Sequence, residues 1–204
     1  MYLKFVTRHI VLFLAVLVLL FTSGCGSGKK ALPQESATGF SVRSGKMLHV
    51  KQVLEHYDAS GQPVPQYFEM WFVDKRGLCV ELNGNGNETG RILDMDDMHI
   101  AYDSKTRIAV KHDFSRIFIL NFESLRSACS NVVQADDQRY AGRICAIYLL
   151  ENDDSEEWIK VYVDRETGYV LLCDAPLFRI RTALFEVLPM DNRLFKAPSD
   201  IVYK

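Results

Sequence analysis

The stretch that decides the fold is residues 64–82, VPQYFEMWFVDKRGLCVEL, in which two apolar runs flank a short basic turn. Successive side chains of a β-strand point to opposite faces of its sheet. One face of the first run therefore carries Tyr67, Glu69, Trp71 and Val73, and the other carries Phe68, Met70 and Phe72. Because both faces are apolar, we expect this strand to be covered on both sides.

Similar short runs, rich in β-branched and aromatic residues and separated by Gly, Asp and Asn, extend on either side of this stretch. We predict strands over residues 47–57, 64–74, 78–82, 91–94, 98–102, 107–111, 139–150, 157–164, 169–174 and 179–188. So many strands with short connections indicate a mainly β fold. We expect one strongly curved antiparallel sheet forming a half-barrel, with one or two helices in or across its concavity.

Residues 115–130 are the segment most typical of a helix. Their apolar residues recur at spacings of four and three, at Phe118, Phe122, Leu125 and Cys129. That spacing predicts a helix with one apolar face. The intervening Ile117, Ile119 and Leu120 leave a strand as the alternative.

The N-terminal residues 1–24 have the pattern of an export signal. Lys4 and Arg8 precede an apolar run over residues 10–21. A membrane-spanning helix needs roughly 20 apolar residues, so this shorter run fits a cleaved signal peptide better. The chain is therefore predicted to be exported.

Small residues lead into a cysteine in Thr22-Ser23-Gly24-Cys25-Gly26. This stretch resembles the lipobox of bacterial lipoproteins, which makes Cys25 the first mature residue and the site of acylation by a fatty acid such as palmitate. An ordinary signal peptide with a chance cysteine is the alternative. Residues 25–37 would form a flexible tether, and residues 38–204 a single domain.

Composition and motifs argue against several classes of function. The formal net charge is −2, with no basic stripe for nucleic acid. The histidines are too scattered for a metal site, and no nucleophile elbow or phosphate-binding loop occurs. We predict no enzyme activity, no metal and no cofactor. Cys79, Cys129, Cys145 and Cys173 are compatible with free buried thiols or with one or two disulfides.

Apolar surface is what remains for function. The candidate groove residues are Phe68, Met70, Trp71, Phe72, Tyr148 and Tyr162. They could form a core beneath a helix. Alternatively, they could line a concave groove for an acyl chain or for an apolar segment of a partner, because binding sites are lined mainly by apolar and aromatic side chains.

Three further observations carry a family resemblance. They are the hairpin Tyr67-Phe68-Glu69-Met70-Trp71-Phe72-Val73-Asp74-Lys75-Arg76-Gly77, the segment Asp96-Asp97-Met98-His99-Ile100-Ala101-Tyr102-Asp103-Ser104-Lys105-Thr106, and the late hairpin from Tyr140-Ala141-Gly142-Arg143 to the turn Asp164-Arg165-Glu166-Thr167-Gly168. In this order they resemble the LolA/LolB superfamily of lipoprotein carriers. The resemblance spans most of the mature chain and implies a half-closed antiparallel sheet plugged by helices.

Two hypotheses follow from the resemblance. A lipidated Cys25 differs from a soluble carrier and favours anchored relatives, such as the acceptor LolB or GerS-like lipoproteins that activate a cell-wall amidase. The first hypothesis is an anchored lipoprotein that binds an acyl chain or a lipoprotein. The second is an interaction module that docks and regulates an envelope enzyme. Either would reside on the outer membrane or on the outer face of the cytoplasmic membrane.

Overall fold

The computed structural model describes residues 40–73, 76–96, 98–151 and 157–204. All of them belong to one compact unit, Ala37–Lys204. The predicted signal peptide, Cys25 and the tether at residues 25–37 lie outside the described residues. No helix in the described residues is long and apolar enough to cross a membrane.

The described residues form one open sheet of twelve strands. The strands are β1 Lys46–Tyr57, β2 Pro63–Val73, β3 Arg76–Leu82, β4 Glu88–Met95, β5 Met98–Tyr102, β6 Ile108–His112, β7 Asn131–Tyr140, β8 Arg143–Glu151, β9 Trp158–Asp164, β10 Val170–Asp174, β11 Phe178–Pro189 and β12 Val202–Tyr203. Their order is β12-β6-β5-β4-β3-β2-β1-β11-β10-β9-β8-β7. The prediction of a mainly β, curved, half-barrel sheet is confirmed.

Two meanders make up this sheet, β1 to β6 and β7 to β11, and they join where the long strands β1 and β11 pair antiparallel. Short turns connect neighbouring strands because side-chain oxygens fold the backbone locally. In the β1–β2 turn, Asp58 Oδ1 accepts the backbone N–H groups of Ser60 and Gln62 at 2.8 and 2.9 Å. Asn83 repeats this pattern between β3 and β4. The short connections expected between the predicted strands at both places are confirmed.

The predicted helix over residues 115–130 is wrong in its extent. The described residues contain a single helix, α1 (Phe122–Ser127), within the segment that joins the two meanders. It begins where Asn121 Oδ1 accepts the N–H of Glu123 at 2.8 Å. Residues 115–121 have no regular structure, since aromatic and β-branched residues there favour helix weakly and the Ser115 hydroxyl accepts the Ile117 N–H.

The predicted strand over residues 139–150 is confirmed from Arg143 onward but begins too early, because a turn divides it. Ala141 and Gly142 both have positive φ, of 48° and 77°, which is the geometry of a tight hairpin turn. They separate β7 from β8. β7 itself was not predicted, since its ten residues are almost all exposed and lack the alternation that marks a strand with one buried face.

Two apolar cores lie on the two sides of the β1–β5 region. The first includes Leu48, Val50, Met70, Phe72, Cys79, Ile92 and Ile117. The second includes Met47, Val73, Leu78, Leu93, Ile100, Tyr102 and Phe195. The expectation that β2 is covered on both sides is confirmed.

Candidate functional site

The aromatic face is the side of the sheet that carries Phe68, Met70 and Phe72, and the chain itself fills the space above it. Met70 and Phe72 are each only 2% exposed. The Phe40 ring packs edge-on against Phe72 with centroids 5.7 Å apart. Ile117, from the segment that crosses between the meanders, belongs to the same buried cluster.

Gly77 shows how closely this cover packs. A Cβ atom at this position would lie 2.9 Å from Ile117 Cδ1 and 3.2 Å from Phe72 Cδ1. Real Cβ atoms are essentially never found as near as 2.9 Å to another heavy atom. Glycine at position 77 therefore lets Ile117 rest directly on the sheet beside Phe72.

A buried carboxylate fastens the crossing segment to the sheet. Asp94 is 5% exposed and accepts a hydrogen bond from the Ser115 hydroxyl. Its other oxygen lies 3.0 Å from His99 Nδ1. In a catalytic serine triad the histidine stands between serine and carboxylate. Here the carboxylate is central, so the arrangement holds the segment in place and does not activate Ser115.

Burial shifts the pKa of two ionisable side chains in this part of the sheet. Burial raises the pKa of the Glu81 carboxyl, and Arg116 opposes that shift. Burial is likewise the main reason that the pKa of His112 is lowered, with Arg116 as a second cause. Within the described residues, no group of His, Cys, Asp and Glu side chains could hold a metal ion.

The side of the sheet opposite the aromatic face carries Trp71. Over the first meander it is covered by residues 190–201, which contribute Met190, Leu194, Phe195, Ala197 and Ile201. The Trp71 ring stacks on His49 with centroids 4.9 Å apart. His49 lies 2.8 Å from Glu69 and 2.9 Å from Glu186, one carboxylate at each ring nitrogen. Trp71 is therefore separated from Phe72 by the sheet itself.

Tyr148 and Tyr162 also point to different sides. Tyr148 pairs with Val161, the residue next to Tyr162, and Tyr162 pairs with Ile147. Paired residues share a side and successive residues alternate, so the two tyrosines lie on opposite sides of β8 and β9. The Tyr148 ring packs 4.3 Å from Phe122 of α1. The Tyr162 hydroxyl donates to Gln138 Oε1 at 3.2 Å.

The Tyr162 ring also packs at the margin of the aromatic-face core, where β10 and β11 pair over three residues only. The structure thus brings Phe68, Met70, Phe72 and Tyr162 together in and around one buried cluster, which includes neither Trp71 nor Tyr148. It distributes the six predicted groove residues over both sides of the sheet.

The surface that sequence reasoning missed is the outer edge of the second meander. β7 is the last strand of the sheet, and nearly all its residues are exposed. At this end of the sheet, on the side opposite Tyr148, Val133 and Trp158 are each 44% exposed. The only sequence signals for it were the adjacent Val132 and Val133 and the Ala141-Gly142 turn.

Cys79, Cys145 and Cys173 are free thiols. Burial raises the pKa of Cys145 to about 11 and that of Cys173 to about 12. Burial also raises the pKa of Cys79 well above its usual value. Because the thiolate is the reactive form, these thiols are poor nucleophiles at neutral pH.

No family model matches this chain, and no curated protein matches it in sequence. Solved structures do match its fold. A chain of the Pseudomonas aeruginosa MucA/MucB complex superposes with a TM-score of 0.51 at 17% identity, covering 77% of this chain and 58% of that chain. MucB in complex with MucA(peri) gives 0.50 at 16% identity, covering 76% and 55%. A LolA superfamily protein from Nitrosomonas europaea gives 0.39 at 7% identity, covering 76% and 92%.

This chain spans little more than half the length of the two chains from MucB complexes. At such identities the likeness concerns the fold alone. MucB has a LolA-like fold, so the fold implied by the sequence resemblance is confirmed.

Proposed function

We propose that this protein is a membrane-anchored bacterial lipoprotein whose LolA-like domain docks a protein partner in the cell envelope and catalyses no reaction. The observation that carries the proposal is the filled aromatic face. A carrier would hold an acyl chain against this face, but here Ile117 and Phe40 of the same chain pack over Phe72. Apolar side chains that are exposed include Val133 and Trp158, at the outer edge of the second meander.

Two further points support a docking role. The solved complexes of MucB with MucA indicate that a protein with this fold can bind a protein partner. The buried polar cluster at Asp94 holds a structural segment and lacks the order of groups that nucleophilic catalysis requires. Regulation of an envelope or cell-wall enzyme, as in the GerS-like lipoproteins that the sequence resembles, is the form of docking we propose.

Cross-linking in intact cells tests this function. The full chain, carrying a photo-reactive residue in place of Val133, would be irradiated in its own membrane and the adducts identified by mass spectrometry. We expect one envelope protein in stoichiometric yield. Adducts spread over many abundant proteins, or none at all, would contradict the proposal.

Anchoring through Cys25 is a separate part of the proposal. It is supported by the signal-like residues 1–24 and the lipobox-like stretch before the cysteine. One acyl chain binds a membrane only marginally, and stable anchoring needs additional chains. Cells fed a clickable palmitate analogue should label the wild-type protein and not Cys25→Ala. Equal labelling of both would contradict anchoring at this residue.

Binding and transport of an acyl chain or a lipoprotein is the second candidate function. It is favoured because the segment that covers the aromatic face contains little regular structure. Residues 115–121 lack regular structure, and α1 is only six residues long. Displacing them would expose an apolar face that could hold an acyl chain at about 0.8 kcal/mol for each methylene buried. Saturable binding of a fluorescent fatty acid to the wild-type protein, abolished by Phe72→Asp, would favour this function. The absence of saturable binding would exclude it.

A further inference from the structure

We infer that β7 and the apolar strip beside it form a docking edge, where a partner adds an extended segment of alternating apolar and basic residues to the sheet. The docking edge is defined by β7 together with Leu149, Glu151 and Trp158. This inference rests on the proposed function and names the surface and the chemistry of the partner.

The two ends of the sheet differ in how they are completed. At one end, the C-terminal strand β12 pairs in parallel with β6, at Val202 opposite Ile108 and Tyr203 opposite Ala109. At the other end, the order of the described strands stops at β7. An edge strand presents a row of backbone N–H and C=O groups that can pair with another extended segment.

The length and composition of β7 suit such pairing. It is ten residues long and contains neither proline nor lysine, two residues that commonly protect sheet edges. Its one irregularity is a bulge, where the ladder with β8 skips Asp136 and Asp137, and a bulge does protect that part of an edge. Five residues on one side of this bulge, Asn131 to Ala135, pair regularly with β8.

An apolar strip runs inward from this regular part of β7. Val133 lies opposite Leu149, and Glu151 lies opposite both Asn131 and Trp158, so these side chains share one side of the sheet. Val133 and Trp158 are each 44% exposed, so an apolar side chain of an added strand would gain contact there.

The charged side chains near the strip indicate which kind of segment would pair with β7. Carboxylates lie near the strip at Glu151 and Glu157, and Asp136 is exposed at the bulge. Lys160, opposite Leu149, places one cation on the same side as the strip.

A second copy of this chain pairing antiparallel along the whole of β7 would bring the Asp136 side chains of the two strands together near its middle, whereas Asp137 is already paired with Arg165. Like charges placed opposite each other destabilise a strand pair. A basic, apolar segment of a different protein avoids that repulsion and complements the carboxylates.

Two peptides test the docking edge on the full chain in detergent micelles. One alternates lysine and valine over ten residues, and the other alternates glutamate and valine. Backbone hydrogen exchange would be followed over all strands. We expect the lysine peptide to slow exchange in β7 and to bind about tenfold more tightly than the glutamate peptide. Equal binding of the two, or protection confined to other strands, would overturn the inference.

Point variants test whether the lysine peptide binds at the docking edge. Val133→Asn removes the apolar contact, and Asp136→Lys reverses one charge; each should weaken binding of the lysine peptide by about threefold. Leu177→Asn is the matched control, since Leu177 is 53% exposed and lies outside the docking edge. Unchanged binding by both test variants, or cross-links between β7 strands of two copies, would overturn the inference.

Failure of this inference can be told apart from failure of the proposed function. If a partner recovered by cross-linking through a second exposed site binds wild type and both variants equally, the docking edge is wrong and the docking function stands. If that partner loses affinity for both variants and not for Leu177→Asn, both are supported.

Discussion

The two meanders share one sheet but differ in how completely the chain covers them. In the first meander, Phe40 and Ile117 pack on the aromatic face, and residues 190–201 pack on the opposite side. In the second, α1 packs against Tyr148, while Val133 and Trp158 on the other side are exposed. A sheet that the chain covers on both sides serves stability, and the part left uncovered is available for binding.

The largest expected effect comes from truncating a core side chain in the first meander, which the chain covers on both sides. Phe72→Ala should lower the free energy of unfolding by about 3–5 kcal/mol, because it leaves a cavity among close-packed side chains. Trp158→Ala, in the uncovered half, should lower it by less than about 1 kcal/mol. Urea titration followed by fluorescence measures both. Comparable losses in the two variants would mean that the halves do not differ as described.

A buried ion pair makes the second meander rigid despite its exposed strip. Asp164 is 2% exposed and accepts hydrogen bonds from Arg143, at 2.9 and 3.2 Å, and from the Thr167 N–H and hydroxyl, at 2.9 and 2.7 Å. Asp164→Asn should therefore cost about 3 kcal/mol of unfolding free energy. The exposed pair Asp174–Arg179 gives the control, and Asp174→Asn should cost under about 1 kcal/mol. A small loss for Asp164→Asn would contradict a rigid framework.

The contact between the crossing segment and the sheet can be loosened by one methyl group. Gly77→Ala should push Ile117 away from Phe72 and cost about 1–2 kcal/mol of unfolding free energy. Gly84→Ala is the control, since a Cβ atom there would meet no other atom within 4 Å. If Gly77→Ala is as stable as wild type and exchanges the amide of Ile117 no faster, this contact does not hold the cover.

The smallest effect concerns Glu81, whose pKa burial raises above the ordinary value of 4.5. Because the folded state then binds a proton more tightly than the unfolded state, stability falls as pH rises from that value through the raised pKa. Glu81→Gln removes this dependence. The gain in unfolding free energy of the variant over wild type should therefore increase between pH 4 and pH 8. A gain that is constant with pH would contradict the buried position of this carboxyl.

Strands with strong local patterns could be predicted from the sequence. The alternation along β2 correctly separated Trp71 from Phe72, and the Asp- and Asn-led turns were placed correctly. Alternation reports which residues share a face of one strand. It does not report which faces of distant strands meet, so the predicted groove mixed residues from both sides of the sheet.

The parts that escaped prediction are those whose structure depends on distant partners. β12 is two residues long and exists because Val202 and Tyr203 reach β6. β7 is exposed along its length and has no apolar periodicity to reveal it. The docking edge therefore became visible only once the sheet order was known.

Native mass spectrometry of residues 26–204 tests the central claim most directly. The account predicts a bare protein at its calculated mass, because the chain's own residues occupy the aromatic face. A retained mass the size of a lipid, lost in Phe72→Asp, would contradict it and show that the aromatic face carries an acyl chain.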